Sequence, residues 1–192
     1  MIIRKWFILF YVIPILLAAQ GRDSWQKPEA IMDSVGIKPG MIIGEIGAGD
    51  GYFTFKMADR LGSNGHIYAN DIVQSKLDYI NRRSGDEKIN TITTILGKEN
   101  DSLLPKDTLD LIIMVYTFHH LGEPVTYLKN LQKRIKPGTP VVIVERDPER
   151  YGHEYNHFFK KDKVINLINE AGYKLDKLYT FLARDNIYVI TL

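Results

Sequence analysis

The sequence predicts an α/β domain, a doubly wound sheet of five parallel βα units closed by a C-terminal antiparallel hairpin. Three observations predict it. Short apolar runs such as MIIGEI, LDLIIMVYTF and PVVIVER alternate with segments whose apolar residues recur at helical spacing. Three glycines, Gly47, Gly49 and Gly51, follow the first of these runs at every second position. The last two β-type runs, YKLDKLYTFL and NIYVITL, are joined through ARDN. A parallel return needs about a dozen residues or more, so this pair must be antiparallel.

In order, WQKPEAIMDSVG reads as an amphipathic helix and IKPG as a turn, before the buried strand MIIGEI. YFTFKMADRLG carries Phe53, Met57 and Leu61 on one face and stops at Gly62. HIYAND is a second strand, QSKLDYINRRS a second helix, and TITTILG a third strand rich in β-branched residues. LDLIIMVYTF is the most apolar strand and so central. EPVTYLKNLQKRIKPG is a helix with Pro124 in its first turn, and PVVIVER is the fifth strand. The polar segment DPERYGHEYNHFFK then leads to the helix KDKVINLINEAG and the closing hairpin. In such sheets ligands bind at the carboxyl ends of the strands, where the strand order reverses. EIGAGDGYF occupies that place.

Composition narrows the function. A chain of 192 residues, 45% hydrophobic and 25% charged, has the makings of one folded domain. Its 25 basic and 23 acidic side chains include no basic run interleaved with aromatics, so no nucleic-acid surface is indicated. The absence of cysteine excludes disulfides, thiolate metal sites and thiol catalysis. MIIRK followed by WFILFYVIPILLAAQ has the basic, apolar and small-residue parts of a signal peptide. Its apolar stretch is shorter than the roughly 20 residues that span a bilayer. Residues 1–20 are therefore expected to be a signal peptide or membrane anchor, with possible membrane contact, and 21–192 a single domain. Arg4 and Lys5 ahead of the apolar run point to export, periplasmic or secreted, or to anchoring. A mis-assigned start would instead leave the protein cytosolic.

The glycine loop discriminates among ligands. A phosphate-binding loop needs a lysine and a hydroxyl after its glycines, where Tyr52 and Phe53 stand. A dinucleotide fingerprint needs a third glycine at the position of Tyr52. Glu45 suits an ammonium group better than a diphosphate. Asp71, at the end of HIYAND and 20 residues past Gly51, suits two ribose hydroxyls. Together these favour a nucleoside with an amino-acid tail.

ExGxGxG followed by an acidic end to the second strand resembles the class I S-adenosylmethionine-dependent methyltransferases, of Rossmann-like fold. The resemblance extends from Trp25 to Leu192, through WQKPEAIMDSVGIKPGM, LDLIIMVYTFHHL, LKNLQKRIKPGTPVVIVE and EAGY before the hairpin. It implies a methyltransferase that binds S-adenosylmethionine. The backbone from Gly47 through Ala48 and Gly49 to Gly51 would pass under the methionine part, with Glu45 near its ammonium. Asp71 would hold the ribose, Ile72 would lie against the adenine, and Gly97, Lys98 and Glu99 would meet the adenine edge. Many relatives have an acidic or hydroxyl residue in place of Lys98, which leaves Glu99 and Asn100 as acceptors for the adenine amine. Tyr116 would face the transferring methyl group.

Methyl transfer is an in-line displacement that needs alignment and sometimes a base. Candidate bases are His119, His120 and Glu145, then Arg146, Asp147, His153 and His157. His153 and His157 are four apart, but Gly152 weakens a helix there and no third ligand is evident, so no metal is expected. The acceptor, a small molecule or one of unknown kind, is not written in the sequence. Two alternatives stand beside this reading: a non-catalytic S-adenosylmethionine- or nucleoside-binding protein of the same fold, and an NAD-linked oxidoreductase.

Overall fold

The computed structural model describes residues 21–151 and 157–192. The signal-like segment and His153 lie outside them. After helical residues 21–26, the described elements run α1 (Pro28–Ser34), β1 (Ile42–Ile46), α2 (Tyr52–Leu61), β2 (His66–Asp71), α3 (Gln74–Asp86), β3 (Ile92–Leu96) and β4 (Leu111–Val115). A 3-10 turn (Phe118–His120), α4 (Pro124–Gln132), β5 (Val141–Arg146), the short α5 (Pro148–Tyr151), α6 (Lys161–Glu170), β6 (Lys174–Tyr179) and β7 (Asp185–Thr191) complete the chain.

The seven strands form one sheet in the order β3-β2-β1-β4-β5-β7-β6. β1 to β5 pair in parallel, and β7 lies antiparallel to both β5 and β6. The predicted fold class is therefore the observed one, including the reversed strand. The order turns back at β1, between β2 and β4, so three strand ends converge there on one crevice.

Each central strand is apolar on both faces because helices cover both. Leu111 and Ile113 of β4 and Val142 and Val144 of β5 pack with Ile43, Met57 and Ile67. Their neighbours Ile112, Met114, Val141 and Ile143 point the other way, into a second core with Phe118, Leu128 and Ile168. Burying one such side chain stabilises the fold by about 1.5–3 kcal/mol. Ile113→Asp would lose that contribution and bury a carboxylate as well.

Two elements differ from the sequence reading. The first helix is interrupted at Lys27, which takes a left-handed φ of 53°. Pro28 closes the α region to the residue before it and opens α1 at its first turn. β4 ends at Val115 rather than Phe118, because Tyr116 turns to a φ of 55° and the chain enters the 3-10 turn. That departure aims Tyr116, Thr117 and His120 at the crevice.

Candidate functional site

The glycine loop hangs from the end of β2, since the N–H groups of Gly47 and Ala48 both donate to the Asn70 carbonyl, at 2.8 and 2.9 Å. Its three glycines answer three different constraints. Gly47 has a φ of 76°, and a β-carbon there would stand 2.2 Å from Thr117 Oγ1. Gly51 has a φ of 77°, caps α2, and its β-carbon would stand 2.9 Å from Ile80 Cγ1 and Phe55 Cε2. Gly49 has a φ of 56°, but among the described residues its β-carbon would meet nothing nearer than the Gly47 carbonyl, 4.0 Å away. Two of the glycines are required by the protein itself, and the third opens onto space.

That space is a cavity of about 1020 Å³ across the ends of β1, β2 and β4. It is large for a ligand pocket, so a nucleoside and part of a second molecule fit together. Gly47, Ala48 and Gly49 form one wall, and Asp71 and Ile72 another. The Asp71 carboxylate accepts from Gly49 N–H at 2.8 Å and from Val73 N–H at 2.9 Å. About two of its lone-pair sites remain for a ligand. Ile72 is 56% exposed, an apolar side chain left bare where a flat ring would cover it.

Lys98, Glu99 and Asn100 close the far end. Their turn is held by Lys98 N–H donating to Asp101 O at 2.8 Å. Arg134 grips Asp101 with two hydrogen bonds of 2.7 Å, which keeps that carboxyl below the usual carboxylate range. Gly97 is required by close approach, because its β-carbon would stand 2.3 Å from Asn70 Nδ2. Tyr116 lines the opposite end, with its ring stacked on Trp25 at 6.1 Å and its hydroxyl donating to Asp185 at 2.7 Å. Burial and the adjacent Asp185 raise the Tyr116 pKa, so its hydroxyl stays protonated.

Two of the expected cofactor contacts lie off the cavity lining. Glu45 is 2% exposed and does not line the cavity. Side chains alternate along β1, which turns Glu45 toward α2, where Thr54 Oγ1 donates to it. Burial pushes its carboxyl up to about 8. Gly51 also lies off the cavity and serves the start of α2. Conversely, the sequence reading did not single out Arg22, Thr117 or Leu121, which all line the cavity. Arg22 stacks over the Tyr52 ring at 3.8 Å and pairs with Asp50 at 3.5 Å. Nothing in the local pattern around residue 22 marks it; Thr117 has a signal only in hindsight, as the residue that forces Gly47.

The candidate bases separate by place. Glu145 is 1% exposed, away from the cavity, and binds His119 Nδ1 with both oxygens, at 2.8 and 3.0 Å. Asp147 is buried against Arg150 and Asn186. The Arg146 guanidinium lies over the rings of Trp25, Tyr116 and Phe158. Of the three principal candidates, His120 lines the cavity. Burial, then His119 and His157, lowers its pKa and favours the neutral imidazole, the form a base needs. The His157 ring packs 4.8 Å from His119 and 5.2 Å from His120, a meeting that the spacing of the sequence did not suggest.

A family described as "Methyltransferase domain" matches residues 37–184, well over half the chain. The chain belongs to this methyltransferase family. The match bears out the class I resemblance and, with it, methyl transfer as the activity and S-adenosylmethionine as the donor. Demethylmenaquinone methyltransferase of Bacillus subtilis is similar, 22% identical over 88% of this chain and 74% of its own. The enzyme of the same name from Oceanobacillus iheyensis is 18% identical over 87% and 70%. A SAM dependent methyltransferase from Aquifex aeolicus has the same fold, with a TM-score of 0.81 and 22% identity over 89% of this chain and 93% of that one.

Proposed function

We propose that this methyltransferase holds its donor extended across the three strand ends and methylates a small molecule entering beside His120. The observation that carries the arrangement is Gly49, a left-handed residue whose missing side chain leaves room that no other described residue fills. The methionine part lies along Gly47–Gly49, with its carboxylate toward Arg22. The ribose hydroxyls bond Asp71, the adenine lies on Ile72, and its edge meets Lys98, Glu99 or Asn100. The sulfonium then faces Tyr116 and Thr117. An acceptor atom in line behind the methyl carbon forms the new bond as the S–CH3 bond breaks. Its electron pair stays on sulfur, and the acceptor's proton passes to His120 or to solvent. The chain's work is alignment, since the leaving group arrives with the donor.

The acceptor class rests on the relatives alone. Because two similar enzymes are named for demethylmenaquinone, that compound is the first acceptor to assay. Residues 1–20 we read as a signal peptide or anchor ahead of a single domain, 21–192. An N-terminus beginning after Ala19 in chain recovered from the producing cell supports that reading; an intact Met1 in the soluble fraction refutes it.

The deciding experiment is calorimetric titration of the full chain and its Asp71→Ala variant with S-adenosylmethionine, S-adenosylhomocysteine and NADH. Transfer of labelled methyl groups to demethylmenaquinone and other small acceptors is measured in parallel. Binding of both sulfur nucleosides, lost in the variant, supports the arrangement. Binding that Asp71→Ala leaves unchanged refutes it, and binding of NADH alone would return the oxidoreductase reading.

A further inference from the structure

Three imidazoles converge at the rim of the cavity, from two separate stretches of chain. His119 and His120 lie in the 3-10 turn, and His157 comes from the segment before α6. One ring nitrogen from each lies within 4.8 Å of the others. The His119 and His120 ring centroids are 3.9 Å apart. His120 and His157 are exposed, so core packing does not account for their approach. Charging more than one ring would bring like charges together, whereas a cation accepts a lone pair from each neutral ring.

A second observation points the same way. Glu145, buried at 1% exposure, receives His119 Nδ1 on both oxygens and His119 N–H at 3.3 Å. A carboxylate partner calls for the proton on Nδ1 and leaves Nε2 as the free nitrogen, the arrangement that orients a ligating histidine. Phe158 walls the ring, its centroid 4.5 Å away.

We propose that His119, His120 and His157 bind one divalent transition-metal ion, zinc by preference, with Glu145 orienting His119 and one coordination position open beside the cavity. Imidazole nitrogens suit zinc, and three protein ligands leave a fourth place for water or a ligand. With Zn–N bonds of about 2.0–2.1 Å the nitrogens stand about 3.3 Å apart. The cluster therefore closes by about 1.5 Å at most, through rotation of the two exposed side chains. His120 lines the cavity, so the open position lies on the acceptor's side. An acceptor hydroxyl bound there would lose its proton more readily and attack as the alkoxide or phenolate. That last consequence rests on the methyl-transfer arrangement above, with the acceptor's proton passing to solvent because a ligating His120 has no lone pair left to accept it. The metal site itself does not rest on that arrangement.

The test uses the full chain without an affinity tag, titrated with Zn2+ by calorimetry and with Co2+ as a spectroscopic probe. One ion per chain is expected, with the visible bands of a tetrahedral cobalt centre. His120→Ala and His157→Ala should each abolish those bands, and Glu145→Gln should weaken binding about 10- to 100-fold. His66→Ala, at the start of β2, should leave binding unchanged. Cooperative thermal unfolding confirms that each variant is folded. No bound ion, or equal affinity in wild type, His120→Ala and His157→Ala, overturns the proposal. Metal binding without S-adenosylhomocysteine binding would sink the donor arrangement and leave the metal site standing.

Discussion

Glu45 offers a test in which the magnitude follows from the structure. Its carboxyl lies under the glycine loop, is fully buried, and is pushed from 4.5 to about 8, first by burial and then, against the Thr54 hydrogen bond, by Asp50 and Asp71. Between those two pH values the folded chain holds a proton that the unfolded chain has released. Its contribution to stability is thus complete below about pH 4.5 and is lost as pH rises toward 8. Each pH unit in that window costs about 1.4 kcal/mol, so the rise from about pH 5.5 to about 7.5 costs roughly 2–3 kcal/mol from this group alone. Glu45→Gln keeps the shape and a partner for Thr54 but removes the titration. Urea unfolding of both chains across that range isolates the effect, because every other titrating group is shared. Stability of the variant minus that of the wild type should climb by roughly 2–3 kcal/mol between the two ends. Parallel curves would mean that Glu45 is ionised in the folded chain, and the account of a neutral acid beneath the loop would fail.

The glycines should separate by role. Gly47→Ala forces a β-carbon onto Thr117 and should cost about 2–4 kcal/mol in unfolding measurements. Gly49→Ala should cost only about 1–2 kcal/mol, the left-handed strain, yet weaken S-adenosylhomocysteine binding by at least about tenfold in calorimetry. Asp71→Asn retains an acceptor for the Val73 N–H and should lose about 10- to 100-fold in affinity for the same ligand, the scale of a hydrogen bond to a charged group. Tyr116→Phe removes the hydroxyl that Asp185 accepts from and should lower stability by about 1–3 kcal/mol, read by thermal unfolding.

Much of this protein was legible in its residues. Apolar runs buried on both faces, a glycine loop after the first of them and a short final link fix a parallel sheet with one reversed strand, because strand periodicity and connection length leave few other topologies. The same local chemistry placed Asp71 and Ile72 at a strand end that does line the cavity. That Glu45 lies off the cavity was not legible, because a strand residue beside a loop can point along the loop or down onto a helix, and only the register of β1 between β2 and β4 settles which. Arg22 carries no local mark; it reaches the site because helical residues 21–26 are held against α2, with Asp23 bonded to Tyr52 and Lys56. The histidines show the division most clearly. Along the sequence His157 had no evident partners for a shared site and no metal was expected, whereas the fold brings it to His119 and His120. Sequence determines what repeats at short period: strands, helix caps and the backbone freedom of a loop. The meeting of side chains from distant segments depends on how the sheet is wound, and that alone decided which glycine faces the cavity, which carboxyl is buried beneath the loop and which imidazoles meet.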